Sequence, residues 1–588
     1  MAVIYRVNMS TRDVRVEPAE RSPYAGLGGR GLTSALVGAE VPPRCHPLAA
    51  ENKLVIAPGV LTGTGAPCAG RLSVGGKSPL TGTIKESNSG GMAALALASL
   101  GIRAIVLEGA SPGGRLFRLL VDRNGLRIEP AEKLTGLGNY DTVARQFQEF
   151  GDKTACISIA QAGEMRCAAA SVAATDVEGR PTRHCGRGGM GAVMGSKGVK
   201  VIVIDPAGGE RTKTADPEAF KAALRTFADA LQRHPLTSQT LPTYGTNVLA
   251  NVLNEAGAYP TRNFSQGQFE GTEAISGERQ HDTILQREGV IAHGCHRGCT
   301  IRCSRIYVDE QGNYVTKGPE YETVWAHGAN CGIDDLDAIA RMDRMDDDLG
   351  LDTIETGATI AVAMEAGIIS FGDAQGAIGL LEEVAKGSPL GRLVASGAAV
   401  LGKAYGVSRV PVVKGQALPA YDPRAVQGIG VTYATSTMGA DHTAGYAVTA
   451  NILGVGGRVD PLRPEGQIAL SRNLQIATAA VDTAGLCLFV AFALLDDPKA
   501  LEAVCEMLAA TYGRAFGAEE FVALGKKVLA AERRFNAAAG FGPGDDRLPH
   551  FFKTEKLAPH QVTFAVPDEE LDTVFDFVRQ QSRDPWHA

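Results

Sequence analysis

Three thiols fall within one short segment, His293-Gly-Cys295-His296-Arg-Gly-Cys299-Thr-Ile-Arg-Cys303, spaced Cys-x3-Cys-x3-Cys. A cubane iron–sulfur cluster needs four thiolates, and a local run commonly supplies three of them with the fourth from elsewhere in the chain. Zinc accepts the same ligands, with His293 or His296 competing for a place. A third reading lays three buried cysteines along one helical face at i, i+4 and i+8, although the flanking Gly and Arg suit a core face poorly. Spacing alone does not choose iron–sulfur over zinc. The chain has 11 cysteines, an odd number, which fits a reduced compartment and metal binding better than a disulfide framework.

A hexapeptide of form Asp-x-x-Gly-Leu-x occurs twice, as Asp347-Asp-Leu-Gly350-Leu351-Asp352 and as Asp482-Thr-Ala-Gly485-Leu486-Cys487. A carboxylate can accept two parallel hydrogen bonds from a guanidine-like edge, and a Gly three residues on lets the backbone approach a flat ligand. Asp-x-x-Gly also describes many ordinary helix ends. The second copy ends in Cys487, a candidate fourth thiolate. Candidate acid–base groups are Glu320 and Glu322, in Gly318-Pro-Glu320-Tyr-Glu322-Thr, and His442, in Gly439-Ala-Asp441-His442-Thr. No nucleophile elbow supports a serine hydrolase.

Two Gly-rich segments imitate nucleotide loops. Gly186-Arg-Gly188-Gly-Met-Gly191 matches G-x-G-x-x-G, but that fingerprint needs a strand before it and a helix after it, and the polar run 176–184 reads as a loop with a strand following soon. Gly75-Gly76-Lys77-Ser78 ends like a phosphate-binding loop, yet Arg71 stands where the leading Gly belongs. Neither is read as a nucleotide site, though clustered backbone N–H groups there could hold phosphates with Arg71, Lys77, Arg183 or Arg187 nearby.

The elements that must position these residues divide the chain in three. Over the first 208 residues, short β-like runs (3–7, 54–58, 104–108, 117–122, 156–160, 199–204) alternate with Gly-rich turns, and Asn124-Gly125 signals a hairpin. Two helical stretches, 92–100 and 141–149, are expected among them. Beyond Pro206-Ala-Gly-Gly-Glu210 the periodicity is helical at 218–233, 336–349, 356–366 and 373–386. Three prolines within 411–423 mark a second boundary near 408, after which helices are expected at 468–480, 499–510 and 519–535. The tail 540–564 reads as a long surface segment, and no tandem repeat covers the chain. The expected fold is therefore α+β: an N-terminal β-rich sheet domain, 1–208, then two largely α-helical domains, 209–408 and 409–588.

Composition sets the outer limits. With 588 residues, three or more domains are expected. Hydrophobic residues at 44% and charged residues at 21% are ordinary globular values. Acidic residues outnumber basic ones, 65 to 58, and no basic run carries interleaved aromatics, so nucleic acid is not an expected partner. The start of the chain lacks the basic and apolar blocks of a secretory signal, which implies a cytoplasmic protein. The most apolar stretch, 486–495, is about half the ~20 residues of a membrane span and reads as buried core. Aromatic residues at 6% give no hint of an aromatic-lined pocket.

Read in order, Gly28-Gly-Arg-Gly-Leu-Thr33, Glu51-Asn-Lys-Leu54, Leu61-Thr-Gly-Thr64, Gly70-Arg71, Lys77-Ser-Pro-Leu-Thr-Gly82, Ser87-Asn-Ser-Gly-Gly91, 186–197, 318–325, both hexapeptides and Gly439-Ala-Asp-His442 resemble the aldehyde:ferredoxin oxidoreductase family, tungsten enzymes built on a bis-pyranopterin cofactor. The likeness runs from about residue 5 to 495 without a large gap. It implies that Asp347, Gly350, Leu351 and Asp352 hold one pterin and Asp482, Gly485 and Leu486 the other, with Arg183 and Gly186 also at the cofactor. Cys295, Cys299, Cys303 and Cys487 would bind a [4Fe-4S] cluster, with Arg71 between cluster and pterin. Backbone carbonyls of Asn88 and Cys185 would bind a magnesium bridging the pterin phosphates; the family usually has Ala at the latter place.

The metal of such enzymes, tungsten or molybdenum, takes four dithiolene sulfurs and no side chain. Glu322 and His442 resemble the catalytic neighbours, with Glu320 as the lesser candidate. The implied reaction oxidises an aldehyde to a carboxylic acid and passes electrons to ferredoxin or an electron-transfer subunit. Two departures matter: the commoner cysteine spacing is C-x2-C-x3-C, so this chain has one extra residue, and Arg341 and Arg344 replace a Glu-x-x-His that holds an iron between subunits. A homodimer or a heteromeric complex stays open. A rival within the family is a low-potential reductase like benzoyl-CoA reductase catalytic subunits, with Cys331 or Cys68 on the metal; outside it stands a zinc-stabilised binding protein.

Overall fold

In the computed structural model, which describes residues 2–581, the N-terminal part folds as two six-stranded sheets of one topology. The first contains β1 (Val3–Asn8), β2 (Asp13–Pro18), β3 (Leu54–Pro58), β4 (Leu72–Lys77), β5 (Ile84–Ser89) and β6 (Ile102–Glu108), in the order 2-1-6-3-4-5. The second contains β7 (Phe117–Asp122), β8 (Gly125–Pro130), β9 (Ala155–Ser158), β10 (Val172–Ala174), β11 (Arg183–Cys185) and β12 (Val199–Ile204), in the order 8-7-12-9-10-11. Adding six to each strand of the first sheet gives the second, and in each only the hairpin strand and the last strand run parallel. An internal repeat is therefore present that the residue pattern did not disclose. The expected hairpin forms, with Asp122 opposite Gly125.

The six β-like runs all become strands, and both expected helices appear, as Ala93–Ser99 and Asn139–Phe150. Three further helices correct the expectation of only two: Gly29–Glu40, Gln161–Glu164 and Met190–Ser196. The last also corrects the reason for rejecting the dinucleotide fingerprint, because β11 immediately precedes Gly186 and a helix opens at Met190, within the fingerprint. The rejection stands on topology instead. β11 and β12 run antiparallel to each other through β10 and β9, whereas a dinucleotide fold needs a parallel βαβ unit.

The rest of the chain is helical, with long helices at Pro217–Arg233, Leu336–Leu349, Thr353–Glu365, Ala374–Lys386, Gln467–Ala484, Pro498–Tyr512 and Ala518–Ala539. One apolar core runs from Val60 to Phe575 across these segments. A small antiparallel sheet interrupts them: β13 (Val290–His293), β14 (Ser304–Val308) and β15 (Tyr314–Lys317), with β16 (Val412–Val413) and β17 (Gln416–Ala417) as a separate pair. The cysteine segment is the loop joining β13 to β14, so the helical-face reading of its three thiols falls away.

The tail is not a surface segment, since Phe552, Leu557 and Phe564 are buried in the main core. The apolar stretch 486–495 is only partly core: Val490 and Ala493 are buried, while Leu488 and Phe489 stand in a cavity wall. No helix among the described residues is long and apolar enough to cross a membrane.

Candidate active site and metal centre

Both hexapeptides are helix ends of one design. Each helix stops at a glycine with positive φ, +74° at Gly350 and +81° at Gly485, where an L side chain would be strained. The following Leu351 and Leu486 donate N–H back to the carbonyls of Asp346 and Val481, the Schellman closure of a helix. The ordinary reading of Asp-x-x-Gly thus holds, and it also serves the site, because the last helical turn carries Asp347 and Asp482 into one cavity wall.

Each sheet grips one of these ends by its backbone. From the β3–β4 loop, Arg71 N–H donates to Gly485 O at 3.2 Å, and Cys68 O accepts from Cys487 N–H at 2.9 Å. From the β9–β10 loop, Ser171 N–H donates to Gly350 O at 2.8 Å, and Ala169 O accepts from Asp352 N–H at 3.0 Å. The contact tolerates no side chains: a Cβ on Gly59 would sit 2.1 Å from the Gly485 Cα, and one on Gly29 2.2 Å from the Asp482 carbonyl oxygen.

Between sheets and helices lies a cavity walled by Asp347, Leu351, Asp352, Asp482, Asn88, Gly186, Glu320, Glu322 and His442, with Arg30, Arg71, Lys85, Arg183, Arg187 and Lys317 as its cations. Lys77 is not among them; its ammonium donates to the Pro43 and Cys45 carbonyls instead, which corrects its suggested phosphate role. Lys317 bridges Asp343 and Asp347 at 2.9 and 2.8 Å. Arg187 meets Asp352 at 3.1 Å, and Arg30 lies 3.3 Å from Asp482 and 2.9 Å from Glu532. Even so, burial dominates: it pushes Asp347 up to about 6, and Asp482 and Glu86 also upward. Lys85, Glu86, Arg30 and Lys317 were not singled out from the sequence. The signal of Lys85 and Glu86 was weak, since β5 is a buried strand with no polar–apolar alternation.

Glu322 sits in the first turn of the helix Tyr321–His327, where its Oε2 accepts the Ala420 N–H at 3.0 Å. Its Oε1 lies 3.4 Å from His442 Nε2. Burial, reinforced by Asp441 and Asp352, pushes Glu322 up to about 8; burial, aided by Arg187 and Lys85, pulls His442 down to about 4. Glu322 Oε1 and His442 Nδ1 have no hydrogen-bond partner. Asp441 stays ionised, held down by Lys85 and Arg187 against the effect of burial. Glu320 lines the same cavity but is engaged away from His442, accepting from Thr246 Oγ1 at 2.7 Å and lying 4.0 Å from Arg183. Composition gave no hint of it, yet aromatic rings back the site: Tyr421 and Tyr446 stand 6.0 and 6.2 Å from the His442 ring.

The thiols converge at one end. Cys295 and Cys303 reach the cavity wall, and Cys487 Sγ lies 3.2 Å from the Arg71 guanidinium, which Cys295 and Cys303 also hold in its charged form. Burial, with the charge of Glu320 and then of Cys487, Cys295 and Cys299 nearby, raises the Cys303 thiol well above its ordinary value. A Cβ on Gly90 would meet Cys295 Sγ at 2.7 Å, so that glycine makes room for the sulfur. His296 is the histidine among the thiols: its ligand atom lies with those of Cys295 and Cys299 within 4.8 Å of one another, whereas His293 is held 2.7 Å from Glu178. Cys68 lies against Cys299 and Thr300. Cys331 is buried against the Ala326 and Gly357 carbonyls, away from the cavity.

The two sheets meet where their end strands β5 and β11 face each other, with Cys185 Sγ 3.4 Å from Ser89 Oγ. Asn88 and Cys185 occupy corresponding strands of the repeat, so their main chains flank one seam. Burial pushes the Cys185 thiol up to about 12. Arg341 pairs with Glu382, and Arg344 stacks on Tyr140 at 3.3 Å, so both arginines are engaged within the chain.

The donor set suits an anionic, phosphate-bearing group with flat rings. Arg71 Nε and Arg183 Nε are buried without partners, and a Cβ on Gly186 would meet only Asp352 Oδ1, at 4.0 Å. Residues 4–206 match the family model described as the N-terminal domain of aldehyde ferredoxin oxidoreductase, and residues 222–577 match that for its domains 2 and 3. The tungsten-containing aldehyde ferredoxin oxidoreductases of Pyrococcus furiosus and Thermococcus kodakarensis are each 38% identical over 573 residues, covering 94% of this chain and 91% of theirs. A WOR-like subunit of an aliphatic sulfonate oxidoreductase from P. furiosus is 27% identical over 464 residues, with 72% of this chain and 71% of that one covered. In fold, the chain is similar to the active-site complex BamBC of benzoyl coenzyme A reductase, with a TM-score of 0.78 at 18% identity over 99% of this chain and 94% of that one.

Proposed function

The chain belongs to the aldehyde ferredoxin oxidoreductase family, and we propose that it oxidises an aldehyde to a carboxylic acid at a tungsten bis-pyranopterin centre. A [4Fe-4S] cluster on Cys295, Cys299, Cys303 and Cys487 would pass the electrons singly to ferredoxin or an equivalent electron-transfer subunit. One observation carries the reading: Asp347 and Asp482, each on a helix end gripped by one sheet, share a cavity with the Glu322–His442 pair, and that cavity ends at the thiols. Asp347, Gly350, Leu351 and Asp352 would hold one pterin, and Asp482, Gly485 and Leu486 the other. Arg183 and Gly186 would face the cofactor, Arg71 would lie between it and the cluster, and the carbonyls of Asn88 and Cys185 would take the magnesium. The division at about 208 and 408 belongs to the same proposal.

When bound, the centre supplies a two-electron acceptor. The chain supplies proton handling. Glu322 in its carboxylate form takes a proton from water or an aldehyde hydrate as oxygen adds to the carbonyl, and the neutral His442 imidazole donates to the oxyanion that forms. The low-potential reductase reading needs a cysteine on the metal, and Cys331 and Cys68 both lie outside the cavity wall. Metal and pterin analysis of the purified protein, followed by an aldehyde screen with a viologen acceptor, tests the proposal. Zinc without tungsten, molybdenum or pterin overturns it.

A further inference from the structure

An apolar chamber of about 260 Å³ adjoins the cofactor cavity. Its lining includes Leu474, Ala477 and Val481 from the helix Gln467–Ala484, Phe492 and Leu495 from the next helix, and Leu501. The chamber reaches the surface beside Val522, which is 43% exposed, and Lys526, which is its charged group among the described residues. Two links tie it to the reaction site. Leu488 and Phe489 stand in the walls of both spaces. Tyr446 lines the chamber and holds its ring 6.2 Å from that of His442.

Resting on the functional reading above, we propose that this chamber receives the hydrocarbon tail of the substrate, so that the enzyme prefers unbranched aliphatic aldehydes of medium length. With the carbonyl at Glu322 and His442, the tail passes Leu488 and Phe489 and lies along Leu474, Ala477 and Val481. A sugar or phosphorylated tail would leave most of its polar groups unpaired on this lining, whose polar members are Tyr446, Thr449, Asn473, Thr478 and Lys526, and a rigid fused ring passes between two side chains less readily than a flexible chain. At the ~30 Å³ share of a liquid water, the chamber holds on the order of eight methylene-sized groups. Each buried methylene should raise kcat/KM about fourfold until the chamber is full.

The test uses the metallated holoenzyme with a viologen acceptor and the aldehyde series from acetaldehyde to decanal. The expected result is a stepwise rise in kcat/KM to a plateau near nonanal. Ala477→Phe, which fills the chamber, should reduce the octanal-to-acetaldehyde ratio of kcat/KM by about 10-fold or more, and Val522→Trp at the mouth should reduce it in the same direction. Calorimetric titration with octan-1-ol gives a readout apart from turnover: binding to the wild type, weakened in Ala477→Phe, on proteins matched for metal content and thermal transition. If aldehydes are oxidised with no dependence on chain length, or octan-1-ol binds Ala477→Phe as it binds the wild type, the chamber has no such role and the functional reading survives. If no aldehyde is oxidised by fully metallated protein, the functional reading itself falls and takes this inference with it.

Discussion

His442 Nε2 lies 3.4 Å from Glu322 Oε1, and burial drives both toward their uncharged forms, the carboxyl up to about 8 and the imidazole down to about 4. At neutral pH the pair is therefore a carboxylic acid beside a neutral imidazole. The imidazole can donate N–H in that state. The carboxyl must first lose its proton before it can act as base.

The rate should therefore depend on pH with a definite sign. The carboxylate fraction of Glu322 grows above its pKa, so kcat/KM is expected to rise with pH through about 8. In Glu322→Gln the rise should disappear and turnover fall by about 100-fold or more. A pH profile with viologen as acceptor, on protein of known metal content, checks both. A wild-type profile that stays flat through this range would remove Glu322 from the base's role.

His442→Asn should retain tungsten, pterin and cluster while turnover falls by about 100-fold or more, the scale of a lost oxyanion donor. Neither Glu322 nor His442 is proposed to hold the aldehyde in its ground state, so KM should move less than kcat. Glu320, which is turned to Thr246 and Arg183, should matter less, and Glu320→Gln should cost a smaller share of turnover than Glu322→Gln. Near-normal turnover in fully metallated Glu322→Gln would shift the base to Glu320 or off this loop, and near-normal turnover in His442→Asn would leave His442 structural.

The cavity walls explain what was legible from residue patterns and what was hidden. Helices such as Leu336–Leu349 bury an apolar face, and the 3.6-residue period marks them. β5, Ile84-Lys-Glu-Ser-Asn-Ser89, does not alternate, because five of its six residues are buried and most of those are polar. Its partners are other charged groups and the cavity, not an apolar core, so period-two reasoning passes over it and over β11, only three residues long. With both end strands missed, the sheet repeat was missed too. Glu322 and Glu320 were legible as residue types. Only the turn of the helix after Glu320 shows which of them meets His442.

Cys487→Ser should remove the cluster signal in electron paramagnetic resonance while Cys295, Cys299 and Cys303 remain in place. Cys487 is buried, with its sulfur 3.2 Å from Arg71, and it stands two residues past Gly485 as Asp352 stands two past Gly350. The repeated scaffold thus places a thiol on one side and a carboxylate on the other. An unchanged cubane spectrum in the variant would exclude Cys487 as a ligand.

Asp347→Ala and Asp482→Ala should each lower the pterin content of purified protein. Each removes a buried acceptor, at a cost of about 1–3 kcal/mol for donors left unpaired. Lys317 keeps Asp343 when Asp347 is lost, and Arg30 keeps Glu532 when Asp482 is lost, so the fold should tolerate both changes. Pterin release and fluorometric quantification supply the measurement. Full occupancy in both variants would reduce the repeated hexapeptide to two ordinary helix ends.

The last prediction separates the two helix ends by their packing. Ala at either glycine must adopt a left-handed backbone, at about 1–2 kcal/mol. At Gly350 the new methyl would find Ala160 N at 3.2 Å and Ala160 Cβ at 3.3 Å, contacts that a small shift relieves. At Gly485 it would meet the Gly59 Cα at 2.6 Å and Thr62 Oγ1 at 2.9 Å, and the backbone there cannot withdraw without breaking the Arg71 N–H to Gly485 O bond. Gly485→Ala should therefore lower the thermal transition more than Gly350→Ala does, by several degrees on the scale of overpacked core positions. Because Arg71 and Cys487 flank the displaced segment, Gly485→Ala should also lose cluster iron, whereas Gly350→Ala should lose pterin first. Calorimetry with iron and pterin analysis on both variants checks the order, and equal losses in the two would show that the close backbone contact at Gly59 is not what holds the second helix end.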